Sequence, residues 1–162
     1  MVKVKIVTML AFLCVFLPFQ SDALAYSKKD LKTLMETRNC AGCDFSEAHL
    51  EGVDLSNANL EGVNFSDAHL EGANLSNSNL SKADFTHAEI DKANLENANL
   101  EGAFLYRCDL DGSNLRGANL KGAFLLRAES LGNAKFKNAI LDGVIWEKGE
   151  KCKTDSLGIC KR

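Results

Sequence analysis

The chain has 162 residues, 46% of them hydrophobic and 25% charged, with a formal net charge of −3 at pH 7. These values match a single globular domain and exclude a disordered or low-complexity chain. Twelve glycines stand against one proline, Pro18, which lies in the first segment.

Residues 1 to 25 read as a cleaved secretory signal. Lys3 and Lys5 precede an apolar run over residues 6 to 19, and Ala23-Leu24-Ala25 supplies the small-x-small pattern that signal peptidase recognises. The run is shorter than the roughly 20 residues a bilayer span needs, so no membrane anchor is expected after cleavage. Leu13 before Cys14 is too large for a lipoprotein signal, and five residues ahead of the run leave no room for an organelle transit sequence. The expected product starts at Tyr26 and resides in a bacterial periplasm or outside the cell. In that oxidising setting Cys40, Cys43, Cys108, Cys152 and Cys160 are read first as disulfide partners, with an odd one left over.

A short helix is expected over 27 to 38, with Ser27 as N-cap, Asp30 in the first turn, and Leu31, Leu34 and Met35 on one face. Cys40-Ala41-Gly42-Cys43 follows it. A redox CxxC wants its first thiol at a helix N-terminus, where the dipole favours thiolate; here the motif trails the helix, and Asp44 excludes a CxxCH haem attachment. A structural bond is the reading, with thiol-redox activity as an alternative.

From Cys43 onward an apolar residue recurs every fifth position, from Phe45, Leu50 and Leu55 through Leu125, with a small residue two places before each, as at Ala48, Ala58 and Ala68. A helix repeats near about 3.6 residues and a strand near about 2, so neither fits. Ala58-Asn59-Leu60, Ala73-Asn74-Leu75, Ala93-Asn94-Leu95 and Ala118-Asn119-Leu120 closely resemble the A-(N/D)-L-x-x signature of the pentapeptide-repeat family over residues 43 to 146. The resemblance implies an all-β, right-handed quadrilateral β-helix with four pentapeptides per coil. Recurrence of Phe45, Phe65 and Phe85, of His49 and His69, and of Phe104 and Phe124 at 20 residues agrees with it. After Ser130 the centres shift by one, to Leu131, Phe136, Leu141 and Trp146, which predicts one inserted residue as a bulge. About five coils are expected, near 25 Å at roughly 4.8 Å per coil. Both ends need covers: residues 26 to 42 supply the N-terminal capping helix and connector, Trp146 closes the other end, and 147 to 162 form a charged, irregular tail stapled by Cys152 and Cys160. Cys108 takes the small inward position and is expected to be a free, inert thiol. A rod of this length separates the N-terminal cysteines from the C-terminal pair.

No catalytic constellation emerges. Beyond the leader the histidines are His49, His69 and His87, and neither a Ser/His/Asp order nor a phosphate-binding glycine loop is present, so neither an enzyme nor a cofactor is expected. Two outer patches stand out. On one face Glu51, Glu71, Asp91 and Asp111 neighbour His49, His69, Glu89 and Asp109; His49, Glu51, His69 and Glu71 could offer a mixed nitrogen and oxygen metal site, against a plain solvated face as the alternative. On another, Phe104 and Phe124 occupy positions normally held by Asn or Asp, with Tyr106, Leu126, Arg107 and Arg127 around them. That composition suits an interface with a protein partner or a second copy, unless the tail folds back over it. Residues 40 to 103 carry 12 acidic and 2 basic side chains, and residues 104 to 162 carry 7 and 11. Cytoplasmic members of the resembled family mimic DNA and bind type II topoisomerases, but a mimic wants negative charge along most of its rod, and half of this one is basic. The leading expectation is a non-enzymatic exported interaction module of the bacterial envelope that binds no nucleic acid. A DNA-mimic topoisomerase modulator and a thiol-redox or cation-binding protein are the alternatives.

Overall fold

A computed structural model describes residues 28 to 146 and 148 to 161; the expected leader, its cleavage site and the Ser27 cap lie outside them. Among the described residues no helix is long and apolar enough to cross a membrane. The chain opens with helix α1 (Lys28–Thr37), carrying Asp30 in its first turn, where a carboxylate suits the helix dipole. Leu34 of α1 is fully buried in the core, and Leu31 packs against it.

After α1 every residue just before a centre forms a parallel bridge with its equivalent 20 residues on, from Asn39 with Asn59 to Asp109 with Glu129. Four pentapeptides therefore make one coil. The centre donates its N–H to the next coil (Leu60 N to Asn79 O, 2.8 Å), and the residue before it donates to the previous one (Asn79 N to Ala58 O, 2.9 Å). Each corner is a turn closed from the centre carbonyl, as from Val63 N to Leu60 O at 3.2 Å, and its third residue is left-handed, as at Gly62 (φ 63°) and Asn57 (φ 58°). Glycine and asparagine suit this corner for steric reasons.

The centres and the small residues fill the interior. Phe45, Phe65 and Phe85 stack with ring centroids 5.7 and 5.4 Å apart. Where serine replaces the small residue, its hydroxyl is buried but satisfied: Ser78 donates to Leu75 O at 2.6 Å and Ser113 to Leu110 O at 2.9 Å. Cys108 occupies the same inward column as Ala68 and Ala88, fully buried and unbonded. Burial pushes its thiol far up in pKa, so no reactive thiolate is available there.

The expected inserted residue is found between Glu129 and Lys135. Asp109 pairs with Glu129 at the regular spacing, whereas Asn114 pairs with Lys135, one residue later. Ser130 absorbs the extra length with φ 57°, accepting a bond from Asn133 N at 3.0 Å. Leu131, Leu141, Ala139 and Val144 keep their inward places.

Two features depart from expectation at the C-terminus. Trp146 is only partly buried, sharing the closure with Phe136 at 5.4 Å between ring centroids. The tail, expected to be irregular, turns back and pairs antiparallel with the last coil, Lys151 opposite Ile145 and Leu157 opposite Ile140. Its carbonyls accept from the last coil, Ser156 O from Leu141 N at 2.7 Å and Cys152 O from Gly143 N at 3.0 Å. An unpaired coil edge invites association, and here it is covered. Disulfides join Cys40 to Cys43, at the junction of cover and first coil, and Cys152 to Cys160 within the tail, with Cα atoms 5.3 and 5.1 Å apart.

Candidate functional site

Four outward columns run along the coils, one per face, and their composition distinguishes them. Asn39, Asn59, Asn79, Asn99 and Asn119 form an amide ladder, each side chain donating to the one before at 2.9 to 3.2 Å. Asn74, Asn94 and Asn114 extend a second one from Asp54 at 3.0 to 3.2 Å. Such ladders satisfy their own hydrogen bonds and offer little to a ligand. The other two faces break this pattern.

On the third face the column reads Asp44, Asn64, Asp84, Phe104, Phe124 and Ile145. Asn64 still donates to Asp44 at 3.0 Å, but below Asp84 aromatic rings replace the amides. Phe104 and Phe124 stack 5.1 Å apart at an interplanar angle of 5°, and remain 45% and 40% exposed. Tyr106 and Leu126 are half-buried beside them, while Arg107 and Arg127 are exposed. The tail follows the edge of the last coil and brings Gly149 beside Leu126, but leaves both rings open.

The corners of this face carry a signal that sequence reasoning missed. Its left-handed positions are Glu47 (φ 56°), Asp67 (φ 58°), His87 (φ 62°), Arg107 (φ 55°) and Arg127 (φ 58°), with no glycine, whereas each other corner column contains one, as at Gly62, Gly52 and Gly117. A non-glycine residue costs roughly 1–2 kcal/mol in this conformation. Lys82 and Lys92, which also bear it, form ion pairs with Glu61 and Asp91 at 3.1 Å. Arg107 and Arg127 form no ion pair among the described residues. Two costly corners thus hold exposed guanidiniums beside the aromatic stack.

The fourth face carries the second predicted set. His49 and His69 stack 4.7 Å apart at 3°, and His69 bridges on to Glu89. His49 Nδ1 lies 3.1 Å from Glu51, and His69 Nδ1 lies 3.6 Å from Glu71 and 3.5 Å from Glu89. Burial acts to raise the Glu51 carboxyl, but its own backbone N–H, the His49 hydrogen bond and the charge of both imidazoles leave it below its ordinary value. Glu89 joins the four residues singled out from sequence because the coil register stacks it under His69.

Cys40 is buried, and its Sγ lies 3.3 Å from Asp30 O of α1. Its backbone N–H bonds Asn59 O at 2.8 Å. The CxxC thus joins helix to first coil, at the end of α1 that disfavours thiolate.

The profile of the family described as pentapeptide repeats (8 copies) matches residues 39–77, 64–102 and 88–125, together more than half of the chain. No curated protein matches it. Similar solved structures include a pentapeptide repeat protein (Rfr23) from the cyanobacterium Cyanothece 51142, 23% identical, covering 82% of this chain and 98% of that one, with a TM-score of 0.37. Another, from the Arabidopsis thaliana thylakoid lumen, is 30% identical over 66% of this chain and 64% of that one, TM-score 0.37. The plasmid-mediated fluoroquinolone resistance protein QnrB1 is 21% identical over 83% and 67%, TM-score 0.35. At these scores none of the three bears on this chain's role.

Proposed function

The chain belongs to the pentapeptide-repeat family, whose members fold as right-handed quadrilateral β-helices, and from that premise we propose a non-enzymatic, exported interaction module of the bacterial envelope. It engages a protein partner through the Phe104 and Phe124 face. The observation that carries the reading is the exposed aromatic stack, set where the other ladders hold amides. Solenoids of this family generally serve as structural or interaction modules rather than enzymes.

Charge narrows the partner. Residues 104 to 162 hold 11 basic and 7 acidic side chains, and packing two copies through this face would gather four arginines at one interface, which is unfavourable without carboxylates to meet them. A partner with an apolar, acid-rimmed surface fits better. The same basic half argues against DNA mimicry. In this reading residues 26 to 42 act as N-terminal cap and connector, residues 43 to 146 wind about five coils, and residues 147 to 162 close the other end. Export is supported by the leader pattern of residues 1 to 25 and by two disulfides, which an oxidising compartment maintains.

Replacing Phe104 and Phe124 together with Asn tests the face. Both backbones stay in the ladder, since Phe104 N bonds Ala83 O and Phe124 N bonds Ala103 O at 2.9 Å, and the new amides continue the column from Asp84. Thermal stability should hold, while partner capture from a periplasmic extract falls at least about tenfold. Arg107→Glu with Arg127→Glu should lose the same proteins. An unchanged captured set in both variants refutes the interface, and concentration-dependent light scattering abolished by the aromatic pair would reassign it to self-association.

Intact-mass measurement of protein recovered from the periplasm should give a chain beginning at Tyr26. A mass retaining the first 25 residues would overturn the leader reading.

A further inference from the structure

The geometry points to a divalent transition-metal site of mixed imidazole and carboxylate donors, centred on His69 and built from His49, Glu51, Glu71 and Glu89. Two sets of three donors meet there, His49 with Glu51 and His69, and His69 with Glu71 and Glu89; within each, one ligand atom per residue lies within 4.8 Å of the others. His69 belongs to both, so one ion per chain is the expected stoichiometry. Two imidazoles select zinc-like cations over calcium or magnesium, which prefer oxygen alone.

Three observations favour a ligand over a merely solvated face. The donors stand on a fixed backbone, since His49, His69 and Glu89 are successive rungs of one bridged column, and the two parallel imidazoles need only turn about their side-chain bonds to aim at one ion. Glu71 pairs with His69 through one carboxylate oxygen at 3.6 Å, and its other, Oε2, is shielded and meets no donor among the described residues, which leaves it free to face an ion. The surrounding columns continue with Asp91, Asp109, Asp111 and Glu129; Lys92 pairs with Asp91 at 3.1 Å, and the other three form no ion pair among the described residues. Stacked carboxylates at coil spacing repel one another, and a divalent ion relieves that repulsion. The amide ladders, one on the adjoining Asp54 face and one on the opposite face, are closed by their own bonds and have no such need.

Isothermal titration of Zn²⁺ into the untagged, chelator-stripped chain, with its disulfides formed, tests the site. Saturable uptake of one ion per chain is expected. His69→Asn should weaken it at least about tenfold, and His49→Asn, at the more exposed ring, should weaken it too and serves as the readout if the first variant fails to fold. His87→Asn is the control: His87 pairs with Asp67 at 3.4 Å and belongs to neither donor set, so affinity should be unchanged. Absence of saturable uptake, or uptake equal in wild type and the folded His69 or His49 variants, overturns the proposal. Circular dichroism on the same samples separates loss of site from loss of fold.

Discussion

Replacing Phe65 with alanine is expected to cost about 3–5 kcal/mol and to lower the melting temperature by roughly 10–20 °C. Phe65 is fully buried between Phe45 and Phe85, with ring centroids 5.7 and 5.4 Å away. In a helical bundle neighbours could slide to fill part of such a hole. Here they cannot, because the backbone bonds Phe45 N to Asn64 O at 2.8 Å and Phe65 N to Asp84 O at 2.7 Å fix the distance between coils. The cost should therefore sit at the upper end for a phenylalanine deletion, a large share of the roughly 5–15 kcal/mol that stabilises a domain. Urea titration monitored by circular dichroism measures it. A loss below about 1 kcal/mol would mean that the aromatic column is not the closed stack described.

Removing residues 150 to 162 is expected to change behaviour more than stability. The deletion strips partners from Leu141 N, Gly143 N and Trp146 N, and from the carbonyls of Ala139 and Val144. The last coil then presents a bare edge, which templates pairing with another chain. Size-exclusion chromatography with light scattering should show association growing with concentration, independent of the Phe104 and Phe124 face. Cutting only the staple, with Cys152→Ser and Cys160→Ser, leaves the paired tail in place and should cost about 2–3 kcal/mol without association. A truncated chain that stays as monodisperse as the full one would show that the tail's pairing does not protect the edge.

The coil was legible because the repeat is short and each copy repeats the same instruction. Period five, the small residue two places before each centre, and the recurrence of Phe45, Phe65 and Phe85 place the inward side chains without knowledge of any long-range contact. The one-residue slip near Ser130 could be read for the same reason. The tail could not. Lys151 opposite Ile145 and Leu157 opposite Ile140 form an antiparallel pairing without periodicity, decided by the geometry of the end it covers.

The two outer patches were only half visible. Phe104 and Phe124 announced themselves as apolar residues in an amide position. The glycine-free corners, from Glu47 to Arg127, were equally present in the sequence but gain meaning only once those positions are known to be left-handed. Glu89 was already legible in the column of His49 and His69, and what the structure adds is its distance, 3.5 Å from His69 Nδ1.

Each pentapeptide belongs to one side of a square, so inheritance can change the length of this protein only in certain steps. Loss of five residues would turn everything beyond the cut by a quarter, moving Phe104 and Phe124 into line with a column of a different face. Loss of twenty would leave every column in place and merely shorten the rod. The chain can therefore drift freely in number of turns while its faces stay aligned, and relatives that share a binding face need not share a length.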